Sequence, residues 1–287
     1  MLTEVIDWLE VKTGATYLDC TLGGAGYTLA IAKMSGAKGK VLSIDLDEQA
    51  IKNAELKIKK QNLKNISLVQ GNFKNLKNLA TDALGAKVKF DGIVMDLGLS
   101  SFQLDDENRG FSFKGERPLN MSFGTEIDRE TIAIINQYSL LELTRIFREY
   151  GEEKMAYQIS KSIVEARKLK KILSTSDLVA IIEERIPLRF RKKIHPATKI
   201  FQALRMETND ELKNLSEALP QALELLKKNG RLVVVSFHSG EDRIVKRFLK
   251  NNVQVQVLTK KPLIPSAQEA AENPRSRSAK LRAALKV

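Results

Sequence analysis

The sequence predicts a Rossmann-like α/β protein, a mainly parallel sheet built from βα units, with a second, mostly helical domain inserted into it. Two observations carry this expectation. Short apolar, β-branched runs alternate with amphipathic stretches from Thr16 to Met95. From about Gln103 to Glu207 the strand signal almost disappears, and it returns only at Gly230.

Taken in chain order, the predicted strands are Thr16–Thr21, Lys40–Asp45, Ile66–Gln70 and Phe90–Asp96, each ending in polar or glycine residues. Between them Tyr27–Met34, Glu48–Gln61 and Leu76–Leu84 carry apolar residues at helical spacing and read as crossover helices. A Gly- and charge-rich loop through Asn108, Arg109, Gly110 and Phe111 opens the interval that follows. Helices are then expected over Asp128–Tyr138, Leu141–Tyr150, Lys154–Lys170 and Ser176–Glu184. Ser139 with Glu142 and Ser174 with Asp177 look like capped starts. Gly230–Phe237 resumes the sheet, and Thr259–Val287 reads as a Pro-containing linker followed by a basic tail. The expected division is residues 1–125 with 205–287 as the core and its tail, and 126–204 as the helical insertion. No internal repeat is visible.

The chain has 287 residues, enough for a core domain carrying a sizeable second one. A 43% hydrophobic and 29% charged composition is that of a globular protein rather than a disordered one. Forty-seven Lys and Arg against 35 Asp and Glu leave a net charge of +12, which suits a polyanionic partner. The single cysteine, Cys20, excludes an internal disulfide framework and a cysteine-rich zinc site, so a reducing compartment fits, and no metal site is expected. The opening MLTEVIDWLEVKTG has acids among its apolar residues, and no later apolar run approaches a membrane span. A cytoplasmic protein with no membrane partner is expected.

The strongest local signal is Tyr17 to Tyr27, YLDCTLGGAGY, a strand running into a glycine-rich turn at a helix start. Such a turn lets backbone N–H groups approach a ligand closely. A dinucleotide fingerprint requires a small residue at its third position, but here Gly24-Ala25-Gly26-Tyr27-Thr28 is followed by Leu29. Without a good pyrophosphate cradle, a nucleoside cofactor lacking phosphates is favoured, and S-adenosylmethionine is one. Asp45 closes the second strand where a carboxylate can accept both hydrogen bonds of a ribose diol, whereas Asp47 reads as a helix N-cap. Phe73, just past the third strand, could stack on a purine or belong to the core. Asp96 ends the apolar fourth strand, so its carboxylate should face the crevice at the strand C-termini. Capping a turn is the competing role.

The whole string resembles the bacterial MraW (RsmH) family, which methylates N4 of a cytidine in the decoding region of small-subunit (16S) ribosomal RNA. The motifs are DCTLGGAGYT at Asp19–Thr28, DLGLSSFQLDDENRGFSF at Asp96–Phe113, YGEEK at Tyr150–Lys154 and HPATKIFQALRMETNDEL at His195–Leu212. GRLVVVSFHSGEDRIVK at Gly230–Lys246 and NPRSRSAKLR at Asn273–Arg282 complete the set. The resemblance implies an S-adenosylmethionine-dependent methyltransferase core. It implies cofactor contacts at Ala25, Gly26, Tyr27, Asp45, Phe73, Asp96 and Gln103, of which only Gln103 is not reached from the strand ends. Its implied partner is small-subunit ribosomal RNA or the assembled small subunit, with the protein a monomer or weak homodimer. Tyr27 stands where many members have His, Gly240 where Leu is usual, and Asn120 where the family has an Asp and cannot act as a base.

An exocyclic cytosine amine needs alignment with the methyl group and a hydrogen-bond acceptor as charge develops. Asp96 is the first candidate acceptor. Methylation at carbon 5 of a pyrimidine would need a cysteine nucleophile, and Cys20 lies inside the first strand motif. Phe102, Phe111 and Phe113 are candidate stacking faces for a base, and His195 and His238 are more simply structural. Arg189, Arg191, Lys192 and Lys193 in the insertion, and Arg275, Arg277, Lys280 and Arg282 in the tail, are candidate phosphate contacts. The glycine turn and Asp45 also leave open a nicotinamide-dependent oxidoreductase, and the charge leaves open a non-catalytic RNA-binding assembly factor.

Overall fold

The computed structural model describes residues 1–113, 115–124, 130–186 and 195–287. These form two compact units, Met1–Ser100 with Leu212–Val287, and Ser101–Glu211.

The first unit is built on a seven-stranded sheet. Its strands are β1 (Thr16–Asp19), β2 (Lys40–Asp45), β3 (Ile66–Gln70), β4 (Phe90–Asp96), β5 (Leu226–Ser236), β6 (Val255–Val257) and β7 (Lys280–Lys286). The spatial order is β3-β2-β1-β4-β5-β7-β6. Strands β3, β2, β1, β4 and β5 are parallel, and β7 runs antiparallel to both β5 and β6. Leu18, Ile93, Val94, Val233 and Val234 are essentially buried, which explains the near-continuous apolar runs. Each such side chain contributes about 1.5–3 kcal/mol by leaving water.

Helices cover both faces of the sheet. Helix α1 (Leu2–Leu9) and α2 (Gly26–Ser35) pack Val5, Leu9 and Ile31 against Tyr17, Val41, Val94 and Val233. On the other face α4 (Leu76–Leu84), α11 (Glu211–Leu225) and α12 (Ser239–Asn251) supply Leu76, Leu215, Leu219, Val245 and Leu249. Helix α3 (Glu48–Lys60) starts at Asp47, whose side chain accepts the Gln49 N–H as an N-cap. Strand order reverses at β1, so the crevice between the C-terminal ends of β1 and β4 is the topological switch point where ligands bind in open α/β sheets.

The tail was expected as a linker and a basic surface segment. Instead Lys280–Lys286 is a strand that pairs with β5 over Arg231 to Ser236. Its KLRAALK sequence has weak strand propensity, and the open edge of β5 makes it a strand.

The second unit contains α5 (Ser101–Asp105), α6 (Thr131–Gln137), α7 (Leu140–Glu149), α8 (Ala156–Leu169), α9 (Thr175–Arg185) and α10 (Ala197–Thr208). Capping boxes at Ser139/Glu142 and Ser174/Asp177 start α7 and α9. The expected boundaries at 125 and 205 assigned the loop after Ser101 and the end of α10 to the core, but both belong to the helical unit. Hydrogen bonds explain the shift. Asn209 donates to the Met121 carbonyl at 2.7 Å and accepts the Phe123 N–H at 2.8 Å. The Arg117 N–H donates to Thr175 Oγ1 at 3.1 Å, and Pro118 bridges Ser174. The loop is thereby stitched to α9 and α10.

Candidate functional site

The C-terminal ends of β1, β2 and β4 bring three carboxylates, Asp19, Asp45 and Asp96, to one edge of the sheet. Asp19 is fully buried. It accepts the Thr21 N–H at 3.1 Å and the Thr28 hydroxyl at 2.6 Å, and Thr28 Oγ1 also lies 2.8 Å from Ser43 Oγ. Asp19 thus ties the glycine-rich loop to the first turn of α2, and burial raises its pKa. No role was assigned to it from the sequence. The available signal was its place as the last residue of a buried strand immediately before the loop.

Ala25 is buried and adopts a left-handed conformation at φ 64°, ψ 19°, as the N-cap of α2. Gly26 is the exposed first residue of that helix, and Tyr27 is half-buried beside it. The first-turn N–H groups have no partner within the helix, so this turn can donate to ligand atoms. Burial, and next the negative charge of Asp96, push the Tyr27 phenol up, so it stays a neutral hydroxyl.

Asp45 accepts the Gly23 N–H at 2.7 Å on one oxygen and the Asp47 N–H at 2.9 Å on the other. Each oxygen keeps a second lone pair for a hydroxyl donor. Burial raises its pKa to about 6 despite those two hydrogen bonds. Phe73 is half-buried in a short 3-10 turn after β3 and packs against the core on one side.

Asp96 differs from both. Its backbone N–H donates to Thr21 Oγ1 at 2.7 Å, while its side-chain Oδ1 is buried with no hydrogen-bond partner. Burial first, and then the charge of Asp19, raise its pKa to about 7. A buried, unsatisfied carboxylate oxygen costs stability and persists where function uses it. The edge therefore offers N–H donors from a helix start, a diol acceptor at Asp45 and an orphan acceptor at Asp96. That donor set fits a nucleoside cofactor without phosphates and an amine to be hydrogen-bonded.

Gln103, implied by resemblance alone, lies in α5 of the helical unit and is buried. Within that unit Phe111 packs on Phe123, with centroids 5.7 Å apart, and Phe113 stacks on His195 at 4.4 Å. His195 accepts the Ala197 N–H on Nδ1 at 3.2 Å, and its Nε2 lies 3.2 Å from Glu183, a structural placement. His238 is the N-cap of α12, accepting the Glu241 N–H on Nδ1. Cys20 is buried and its thiol is pushed well up by burial, which leaves no thiolate nucleophile.

Arg189, Arg191, Lys192 and Lys193 lie outside the described residues. Of the tail cluster, Arg275 and Arg277 are exposed and Lys280 is half-buried. Arg282 is a correction: it was expected to contact phosphate, but it is only 5% exposed and is paired with Asp242 at 2.7 and 3.1 Å. Strand pairing of β7 turns it inward, so its guanidinium is spent inside the fold.

The MraW methylase family model matches residues 1–287. The chain is 41% identical over 305 aligned positions to ribosomal RNA small subunit methyltransferase H of Clostridium botulinum (strain Loch Maree / Type A3), covering 100% of this chain and 97% of the relative. It is 43% identical over 285 positions to the protein of the same name in Petrotoga mobilis, covering 98% of each. Among solved structures, a Streptococcus mutans methyltransferase in complex with SAH aligns over 100% of this chain and 97% of that one, with a TM-score of 0.51 at 13% identity. That likeness bears on the fold.

Proposed function

The chain belongs to the MraW methylase family, and on that premise we propose that it transfers a methyl group from S-adenosylmethionine to N4 of one cytidine in the decoding region of 16S ribosomal RNA. The observation that carries the reading is the orphan Oδ1 of Asp96 at the switch point. The names of the relatives and the net charge of +12 support ribosomal RNA as the substrate.

The cofactor, when bound, supplies an already activated sulfonium methyl group. The chain's own residues do the rest. Asp45 takes the ribose hydroxyls on the lone pairs that Gly23 and Asp47 leave open. The α2 turn at Ala25, Gly26 and Tyr27 binds polar groups through its N–H donors, and Phe73 flanks the purine.

The cytosine amine is a weak nucleophile because its lone pair is delocalised into the ring. Asp96 Oδ1 would accept a hydrogen bond from this amine, and the carboxylate would take the proton that nitrogen sheds as the N–C bond forms and the methyl–sulfur bond breaks with its electron pair returning to sulfur. A pKa of about 7 matches that group to work at neutral pH.

The test is to incubate the protein with labelled S-adenosylmethionine and small ribosomal subunits lacking the modification, then to identify labelled nucleosides by mass spectrometry. Label at N4 of a single cytidine supports the reading. Label at another atom, or cofactor binding without transfer, overturns the assignment of substrate.

A further inference from the structure

Helix α12 leaves the sheet at the ligand edge. In the register of β4 and β5, Asp96 pairs with Val235, and α12 is capped only three residues later by His238. Its buried face is Glu241, Val245 and Leu249, with Ile244 and Phe248 packed partly into the core. The outward face carries Arg243, Lys246, Arg247 and Lys250, all exposed. These are positions i, i+3, i+4 and i+7 of one helix, so they form a single stripe with a cation on each turn, about 5.4 Å apart along the axis.

A helix face that is merely solvated usually mixes acids with bases. Here both acids of α12 are turned inward. Glu241 is 2% exposed and closes the capping box. Asp242 is held by Arg282 of β7 in the bidentate pair described above. Lys246, Arg247 and Lys250 make no ion pair among the described residues. The role of Arg282 is therefore indirect: by neutralising Asp242 it leaves a stripe with no acid on it.

We propose that the outer face of α12, through Arg243, Lys246, Arg247 and Lys250, is a docking surface for the phosphate backbone of the RNA substrate, leading the strand toward the edge that bears Asp96. The inference rests on the ribosomal RNA reading above. The stripe contacts phosphates, and so it contributes affinity and salt dependence rather than base choice or chemistry.

The test compares wild type, the triple variant Lys246→Gln/Arg247→Gln/Lys250→Gln and a charge-matched control, Lys59→Gln/Lys60→Gln/Lys64→Gln, whose positions are equally exposed near the end of α3. Binding to unmethylated small ribosomal subunits is measured as a function of salt, together with kcat and KM. The expected result for the α12 variant is a KM at least about tenfold higher with kcat unchanged, and a salt-dependence slope lower by about 2, since each single-strand phosphate contact contributes about 0.7. The charge-preserving variant Lys246→Arg/Arg247→Lys/Lys250→Arg keeps wild-type behaviour, and labelled S-adenosylmethionine binding reports that each variant is folded. An unchanged KM and slope in the α12 variant, with wild type active, overturns this surface alone. Equal losses in the α3 control overturn it too, because net charge would then be responsible. A loss confined to binding of anionic vesicles would assign the stripe to a membrane instead. Wild type that binds no ribosomal subunits fails the underlying reading together with the inference.

Discussion

The hydroxyl of Thr21 accepts the backbone N–H of Asp96 at 2.7 Å, which locks the loop after β1 to the end of β4. The bond satisfies the Asp96 backbone and fixes where its carboxylate stands, while Oδ1 is left with no partner. The position of Asp96 is thereby set by the loop that follows the neighbouring strand.

If Oδ1 takes the amine proton, Asp96→Asn removes the proton-accepting carboxylate while keeping size and a carbonyl oxygen. The expected loss is about 10²–10⁴ in kcat. Binding of S-adenosylmethionine, followed by equilibrium dialysis, should change by no more than a few-fold. A variant that keeps kcat within threefold of wild type would sink the role given to Asp96.

The same carboxyl makes stability depend on pH. With Asp96 held at about 7 and Asp45 at about 6, the folded chain binds more protons than the unfolded chain between about pH 4 and 7. Stability contributed by these groups is therefore lost as pH rises through that window. A buried carboxyl whose pKa is raised this far costs on the order of a few kcal/mol once ionised. Thermal unfolding without cofactor should show Asp96→Asn gaining stability over wild type at pH 8 and gaining almost none at pH 4. An equal gain at both values would contradict the linkage.

The charge of Asp19 helps to hold the Asp96 pKa up, so if Asp96 takes the amine proton Asp19 is a positioning residue for it. In Asp19→Asn the acid limb of the pH–rate profile should move to lower pH, because one source of repulsion is gone. Thr28→Val, which removes the hydroxyl that donates to Asp19, should cost about 1–3 kcal/mol of stability. A lower rate with an unmoved profile would make Asp19 purely structural.

The partly buried Arg282–Asp242 pair also separates fold from function. Arg282→Met removes both charge-assisted hydrogen bonds to Asp242 and is expected to cost about 1.5–3 kcal/mol. The double change Arg282→Met/Asp242→Leu should recover most of it in denaturant titrations. If Arg282→Met is as stable as wild type and instead loses affinity for ribosomal subunits, the inward assignment of this guanidinium is wrong.

In the helical unit Gly110 has φ +66°, and a Cβ there would lie 1.9 Å from the Pro118 carbonyl oxygen. Gly110→Ala must shift backbone and should cost on the order of 1–3 kcal/mol. Limited proteolysis should then cut within residues 101–211 before the sheet unit. Resistance equal to wild type would show that the loop repacks freely.

Much of the fold was legible because its signals are local. The ranges expected for β2, β3 and β4 match the structure, and α4 does as well. The cap at Asp47 and the two capping boxes follow from residue types at fixed offsets. The short α1 and the distant β7 were not legible. Leu2–Leu9 is eight residues long and helical because Val5 and Leu9 reach the sheet, and Lys280–Lys286 is a strand because β5 has an edge to fill.

The sequence by itself determined that Asp45 and Asp96 end their strands and where the glycine-rich turn falls, because strand periodicity and turn chemistry act over a few residues. Only the tertiary structure decided what each of those groups does. Strand order sets Asp19 beside Asp96 and raises its pKa, sheet pairing turns Arg282 inward onto Asp242, and helix packing leaves four cations on one face of α12. Burial and charge proximity depend on residues distant in the chain, and no local pattern encodes them.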